Sequence, residues 1–419
     1  MLNRTIQPEL QTVNKIDFVN PSIYDITADV KLFFMKDVPN ETARFEIYFD
    51  AGNIQGEKGI PTFVSSLLLS GTKAKSSTQI NNEIDALGGF MESGISAETS
   101  VITMYCLREN ILPILHVLTD AIENVAFLEN EVSELIADKK QAFHTNMEKV
   151  SYLAQRAFQQ RLFNSSEIYS RVATEAYYEN VDPADFKKFF ESNYRTGMTK
   201  VVVVGNLEQG VVDEIIDTVG KWAKTGTSEF AKNIKNLPGQ IHIEKENAVQ
   251  TAIRMGKILF NKTHADYNDF MVLNTVLGDY FGSRLMSNIR EDKGYTYGIG
   301  SMVAEYNHIG YFMIATEVGK EVKDATLTEI KFEIERLQTE LIDEEELNLI
   351  RNYLLGQLLK SADGPYSMMD LYLSAEAQGL NFDFYNKAIK DLHAITPERI
   401  KELAVKYLKW DEMTIVSAG

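Results

Sequence analysis

The sequence predicts an α+β protein built from two homologous domains, each a mainly antiparallel β-sheet covered by helices on one face. Three observations support this prediction. Alternating, β-branched runs typical of half-buried strands are interleaved with amphipathic helical segments. A helix-and-strand unit recurs after 214 residues. The length of 419 residues is also sufficient for two or three domains with substantial cores.

The recurring unit begins with a helix that starts at a proline. Asp182-Pro183 and Thr396-Pro397 each combine an N-capping side chain with proline at the first helical position. Apolar residues then follow at identical offsets in the two copies: Phe186, Phe189 and Phe190 in the first, and Ile400, Leu403 and Ala404 in the second. Each helix leads into a strand that ends in glycine, at 201–205 and 415–419. Agreement at several offsets favours duplication over coincidence.

Further elements and the domain limits follow from the same patterns. Strands are predicted at 43–51 and 250–260, and a hairpin at 91–107. Glycine, proline and small polar residues accumulate after residue 224, which indicates a connection between domains. We therefore predict an N-terminal domain over residues 1–222, a linker over 223–240 and a C-terminal domain over 241–419.

Composition excludes several classes of function. The net charge of −18 argues against a nucleic-acid partner. No apolar run of 18 residues is present, so no membrane span is predicted. The N-terminus lacks the apolar segment of a secretory signal, and the compartment stays open between cytoplasm and periplasm. Cys106 is the single cysteine, which rules out an intrachain disulfide.

The most informative segment runs from Gly282 to Gly298. Apolar residues at helical spacing precede Gly294, which is placed to end that helix in a left-handed cap, and an alternating strand follows. Arg290 is therefore predicted on the last helical turn and Tyr297 at the start of the strand. A guanidinium and a phenol that converge across this corner could bind a developing oxyanion. The alternative is a purely structural corner in which Arg290 caps carbonyls and Tyr297 is core.

The same segment, with Leu277-Gly278 and Phe281 before it, resembles the C-terminal signature of the insulinase/pitrilysin zinc metallopeptidases. The resemblance is to the short, two-subunit branch of the mitochondrial processing peptidases and their bacterial relatives. In that branch one subunit holds zinc and the other supplies an Arg and a Tyr seven residues apart, the spacing of Arg290 and Tyr297. The resemblance implies domains like those of LuxS and the processing peptidases. It also implies that Arg290 and Tyr297 bind substrate and stabilise the oxyanion in trans.

The zinc helix of that family carries His-x-x-Glu-His, and the matching stretch here is 59–72. Thr62, Ser65 and Ser66 stand at the three chemical positions. Hydroxyls are poor zinc ligands, and Ser65 cannot act as a general base. The segment 138–146, where the resemblance places the remaining Glu ligand, contains no Glu. We therefore expect that this chain binds no metal and that the zinc is held by a partner subunit.

The predicted function is the non-catalytic Arg/Tyr subunit of a heterodimeric zinc metalloendopeptidase, inactive alone. Its expected partners are a homologous zinc-bearing subunit and a peptide or unfolded polypeptide substrate. The alternative is a non-enzymatic peptide-binding or scaffold subunit of a larger complex, and a third hypothesis is an independent peptidase. One aromatic-rich stretch could line a peptide groove, although core packing is favoured: Phe158, Phe163, Tyr169, Tyr177 and Tyr178.

Overall fold

Two β-sheets organise the molecule. The computed structural model of the chain describes residues 13–57, 59–224 and 234–419. The first sheet contains β1 (Ser22–Asp25), β2 (Lys31–Met35), β3 (Thr42–Phe49), β4 (Phe90–Ile95), β5 (Ser100–Leu107) and β6 (Met198–Gly205). The second contains β7 (Gly239–Ile243), β8 (Gln250–Leu259), β9 (Thr296–Glu305), β10 (Gly310–Gly319) and β11 (Thr414–Ala418).

The two sheets share one topology. The strand order is β1-β2-β6-β3-β5-β4 in the first sheet and β7-β11-β8-β10-β9 in the second. Once the extra edge strand β1 is set aside, each strand of one sheet has a counterpart at the same place in the other. Each sheet also has one parallel pair, β2 with β6 and β7 with β11, among otherwise antiparallel neighbours. The predicted α+β fold with repeated, mainly antiparallel sheets is confirmed.

Fifteen α-helices connect and cover the strands within the described residues. Those before the second sheet are α1 (Ile60–Leu67), α2 (Ser77–Ala86), α3 (Ile111–Glu123), α4 (Glu129–Met147), α5 (Val150–Leu162), α6 (Glu167–Ser170), α7 (Glu175–Glu179), α8 (Pro183–Asn193) and α9 (Gln209–Gly220). The others are α10 (Tyr267–Leu277), α11 (Lys323–Thr339), α12 (Glu344–Ser361), α13 (Gly364–Glu376), α14 (Asp383–Ala394) and α15 (Pro397–Tyr407). A π-helix occupies Met286–Asp292.

The predicted repeat helices are α8 and α15. Asp182 accepts a hydrogen bond from the Ala184 backbone N–H at 2.9 Å, and Thr396 accepts one from the Arg399 N–H at 3.3 Å. Proline occupies the first helical position in both helices, where a backbone N–H would have no partner within the helix, so its absence costs no hydrogen bond. All six residues at the shared offsets are buried: Phe186, Phe189, Phe190, Ile400, Leu403 and Ala404.

Each sheet also receives a helix from the other half of the chain on its second face. Phe158 of α5 belongs to a buried cluster with Ala252 of β8 and Val416 of β11. Reciprocally, Met369 of α13 packs in a cluster with Val202 of β6. The sequence predicts helices on one face only, because local periodicity does not reveal which distant helix covers the other. This exchange joins the two halves through apolar contacts.

Two of the predicted segments lie partly outside the described residues. Residues 225–233 of the predicted linker and residues 1–12 of the predicted N-terminal domain lie outside the described residues. The domain limits therefore stay a prediction. Across the residues that are described, the structure contains no helix long and apolar enough to cross a membrane.

Candidate functional site

A helix end positions Arg290. The segment that contains it is helical, as predicted, but it forms a π-helix rather than an α-helix. Such turns are rare and concentrate at functional sites. Gly294 closes the helix with φ +67°, and the Tyr295 N–H donates to the Ile289 carbonyl at 3.0 Å. This left-handed closure sends the chain directly into β9.

A β-bulge positions Tyr297. Ile299 pairs with Thr316 and Thr296 pairs with Val318, so Tyr297 and Gly298 together oppose a single residue of β10. The Thr316 hydroxyl donates to the Gly298 carbonyl at 2.9 Å and supports the irregular backbone. Bulges commonly re-aim a side chain near a functional site. Here the Tyr297 side chain is 94% exposed, so the alternative that it belongs to the core is wrong.

Arg290 and Tyr297 face a common space. Both line an open depression of about 510 Å³, together with Thr296 and two carboxylate residues, Glu317 and Glu321. Among the described residues, no hydrogen bond or ion pair to the Arg290 guanidinium is found, which removes the carbonyl-capping alternative in this conformation. The N–H groups of Arg290 and the phenol of Tyr297 are thus available to an incoming acceptor.

Other residues of the same segment hold it in place. An added Cβ on Gly278 would lie 2.6 Å from the Ser301 Oγ, so only glycine lets the end of α10 approach β9 this closely. Arg284 forms a two-pronged ion pair with Glu346 of α12, with N–O distances of 3.0 and 2.8 Å. Gly278 and Arg284 stabilise the helix-to-strand corner between the π-helix and β9. Arg290 and Tyr297 project their side chains from this corner.

The stretch predicted to match a zinc helix forms α1. Thr62 donates its hydroxyl to the Asn53 Oδ1 at 2.8 Å. Ser65 is buried, with its Oγ 3.5 Å from the Ser100 Oγ, and Ser66 is exposed. Tyr194 donates to that same Ser100 hydroxyl at 2.8 Å, and burial raises its pKa to about 12. Ser65 therefore belongs to a structural chain of hydroxyl groups.

These residues do not fit a zinc ion. Their side chains offer neutral hydroxyls, of which those of Thr62 and Ser65 have other hydrogen-bond partners, whereas Zn²⁺ sites use thiolate, imidazole or carboxylate. Lys139 of α4, in the segment where the Glu ligand was expected, lines the same pocket as Thr62. No group of three His, Cys, Asp or Glu residues able to hold a metal is found in the described part of the chain. No step is assigned to a metal on this chain.

Family models match both halves of the chain. A model described as "Insulinase (Peptidase family M16)" matches residues 32–170, and one described as "Peptidase M16 inactive domain" matches residues 180–354. The chain belongs to peptidase family M16. The family predicted from the sequence is confirmed.

Relatives of this M16 chain share low identity over most of its length. An "Uncharacterized zinc protease" of Rickettsia bellii is 24% identical over 353 residues, covering 83% of this chain and 82% of the relative. The human mitochondrial-processing peptidase subunit beta is 20% identical over 406 residues, covering 90% of this chain and 80% of the relative. The crystal structure of a peptidase M16 inactive domain from Pseudomonas fluorescens superposes with a TM-score of 0.86 at 20% identity, and the match covers 96% of this chain and 98% of that chain. This structural match shows the shared fold.

A pocket in this M16 chain contains residues that the sequence analysis did not predict as site residues, apart from Thr62. A pocket of about 350 Å³ opens beside α1 and is lined by Thr62 together with cationic and aromatic side chains. The aromatic stretch for which core packing is favoured divides there. Phe158, Phe163 and Tyr169 are buried, whereas Tyr177 and Tyr178 are half-buried, and all three tyrosines line the pocket. Lys139 was the available signal, because a lysine stands in the segment expected to supply a carboxylate.

A second missed residue is Phe281. It belongs to the signature segment, but the sequence alone indicates no role for it. In the structure its ring lies under the Arg290 guanidinium, with 4.6 Å between the Cζ and the ring centroid. Phe281 and Arg290 are nine residues apart, with a glycine-containing turn between them, and this spacing does not predict such a contact.

Proposed function

We propose that this chain is the non-catalytic Arg/Tyr subunit of a heterodimeric zinc metalloendopeptidase. The observation that carries the proposal is the projection of Arg290 and the 94%-exposed Tyr297 into one depression. An exposed tyrosine on a bulge contributes little to a core, and an arginine without an ion-pair partner contributes little to stability. Their arrangement suits a ligand that brings its own acceptor.

The chemistry of the two side chains suits a peptide carbonyl that becomes an oxyanion. Arg290 supplies charged N–H donors in a planar fork, and Tyr297 supplies a neutral O–H donor. Donors that bind the developing negative charge more strongly than the ground-state carbonyl lower the reaction barrier. In this proposal both donors act on a substrate held jointly with a second subunit.

An edge strand provides a second contact for substrate. β9 carries Tyr297 and is the last strand of its sheet, paired only with β10 among the described strands. An extended peptide can add to such an edge through main-chain hydrogen bonds, largely independently of its sequence. We therefore propose that the substrate is a peptide or unfolded segment, aligned along β9.

The proposal requires a partner because Thr62, Ser65 and Ser66 do not supply a zinc site. The names of two relatives support the class of partner. One is a zinc protease, and another is a subunit of a processing peptidase. We propose a homologous His-x-x-Glu-His subunit whose zinc performs hydrolysis while Arg290 and Tyr297 act from this chain.

The experiment is reconstitution with that zinc-bearing subunit. Mixing should produce cleavage of an unstructured fluorogenic peptide, and Arg290→Gln or Tyr297→Phe should each lower kcat/KM by about 10²–10³-fold. Lys293→Gln is the matched cation control, since Lys293 ends the same helix and its Nζ lies 3.4 Å from Glu329. Tyr295→Phe controls for disturbance of the corner.

Two results would contradict the proposal. One is full activity of the Arg290→Gln and Tyr297→Phe pairs with the zinc subunit. The other is isolation of this chain from cells in a stable complex that contains no zinc peptidase, which would favour the scaffold alternative.

A further inference from the structure

The pocket beside α1 has an unusual charge for this chain. Its lining includes three cationic side chains, Lys139, Arg156 and Arg171, and none of the described residues that line it is Asp or Glu. The whole chain carries a net charge of −18. A concave site of one sign concentrates ions of the other sign, so the lining of this pocket favours anions although the chain as a whole is acidic.

The Arg156 guanidinium is fixed in place. Its Cζ lies 5.5 Å from the ring centroids of both Phe143 and Tyr152, and its Nη1 donates to the Ala173 carbonyl. The contact to one carbonyl uses a single N–H, so further N–H groups remain for a ligand. A preorganised guanidinium loses little conformational entropy when it binds a carboxylate.

Arg171 and Lys139 extend the cationic lining. Arg171 donates to the Gly56 carbonyl at 2.8 Å, and its remaining charge is shared with Glu57 at 3.8 Å, a residue whose side chain is 73% exposed. Such an exposed pair is weak. For Lys139, no ion pair is found among the described residues.

Two carboxylates near α4 already have partners on that helix. Glu179 lies 3.1 Å from the Lys140 Nζ, and Glu175 lies 3.4 Å from the His144 Nε2. Neither carboxylate lines the pocket. The Lys139 ammonium group is therefore available to an anionic ligand that enters the pocket.

The remaining lining sets the size and character of the ligand. Aromatic rings form much of the wall, including Tyr152, Tyr177 and Tyr178. A volume of about 350 Å³ is at the lower end of the usual range for ligand pockets, which begins at about 300 Å³. That space suits a ligand of roughly dipeptide size with one anionic group and one apolar or aromatic group.

We infer that this pocket is a binding site for a carboxylate attached to an apolar or aromatic group, such as the C-terminal end of a peptide. Arg156 and Lys139 bind the carboxylate, and the tyrosine rings contact the adjoining side chain. The position that would coordinate a metal in a zinc-bearing family member thus recognises an anion in this chain. The site goes beyond the Arg290/Tyr297 function and requires no partner subunit.

The test uses the full chain alone and measures binding by calorimetry. The probes are an N-acetylated Leu-Tyr dipeptide with a free C-terminal carboxylate, its C-terminal amide, and an octapeptide with the same free end. The free carboxylate should bind at least about tenfold more tightly than the amide, because only the carboxylate forms charge-assisted hydrogen bonds. Tighter binding of the octapeptide assigns the site to peptide ends; equal binding assigns it to a small carboxylate. Both results support the inference.

Matched lysine variants locate the site. Lys139→Gln should weaken carboxylate binding by about fivefold, and Lys139→Glu should abolish it. Lys140→Gln, one residue away with its charge directed to Glu175 and Glu179, should leave binding unchanged. Arg290→Gln should also leave it unchanged, which separates this site from the proposed catalytic one.

Three results would overturn the inference. They are equal affinity for acid and amide, unchanged binding in Lys139→Glu, and no binding of any probe to a folded chain at millimolar concentration. A negative result in these binding experiments would not affect the conclusion drawn from reconstitution. A failed reconstitution would likewise not affect the binding measurements, because they use this chain alone.

Discussion

The guanidinium of Arg290 lies over the ring of Phe281, with 4.6 Å between its Cζ and the ring centroid. The stack uses the face of the guanidinium and leaves its N–H groups at the edge, where hydrogen bonds form. Phe281 is 62% exposed, so the ring contributes little to the core. An exposed ring that fixes an unpaired arginine indicates a positioning role for Phe281.

Phe281→Leu should therefore lower the activity of the reconstituted peptidase without unfolding the chain. A cation–π contact at an exposed site contributes about 0.5–1 kcal/mol, so kcat/KM should fall by roughly two- to fivefold. Phe281→Tyr, which keeps the ring face, should retain activity. Steady-state kinetics on both variants measures the difference. Equal losses in the two variants would argue against stacking as the cause.

Gly294→Ala should destabilise the corner through its backbone alone. Gly294 has φ +67°, and an added Cβ would meet no atom within 4 Å, so no clash contributes. A left-handed conformation costs a non-glycine residue about 1 kcal/mol. Chemical denaturation should show this loss. Gly298→Ala is the matched control, since its Cβ also meets nothing within 4 Å and no left-handed φ is involved. Equal stability of the two variants would contradict the backbone explanation.

Arg284→Lys should be poorly tolerated although it conserves charge. Arg284 Nε and Nη2 bind the two carboxylate oxygens of Glu346 at 3.0 and 2.8 Å, in a largely buried pair. Lysine cannot reproduce that fork, and a disrupted buried pair costs about 3–5 kcal/mol at most. A double-mutant cycle with Glu346→Gln should give a coupling energy above about 1 kcal/mol. Simple additivity of the two single variants would show that the pair does not couple.

Glu98 should make stability fall as pH rises. This buried carboxylate accepts hydrogen bonds from the Tyr169 hydroxyl and from the Asn307 N–H, and burial raises its pKa above the ordinary value of 4.5 despite those bonds. The folded state then keeps a proton that the unfolded state has lost. The contribution of Glu98 to stability is therefore fully present below about pH 4.5 and is lost as pH rises through the raised pKa.

Glu98→Gln should remove that part of the slope. Urea denaturation of the unsubstituted protein and the variant between pH 4 and 8 gives the free energy of unfolding of each. The difference between these free energies isolates Glu98, because other carboxyl groups with a raised pKa, such as Glu46 and Asp279, are present in both proteins. Parallel pH profiles would mean that Glu98 titrates alike in the folded and unfolded chains.

Much of the site region was predictable because its signals are local. Pro183 and Pro397 mark the starts of helices through local backbone preference, independently of tertiary contacts. Gly294 ends a helix because only glycine adopts its φ without strain. The positions of Arg290 at a helix end and Tyr297 at a strand start follow from those boundaries. The exposure of Tyr297 did not follow, since it depends on a bulge that forms only when β9 pairs with β10.

Local patterns in the sequence were enough to predict the duplicated α+β architecture, the family, and hydroxyl side chains at the three positions compared with the zinc helix. Periodicity, capping and residue chemistry are properties of nearby positions. Only the packing of the folded chain determines which side chains line the pocket beside α1. Lys139, Arg156 and Thr62 come from three separate helices, and no local pattern relates them. Only packing of those helices brings two cations to one pocket, because the contact depends on three-dimensional distance rather than on separation along the chain.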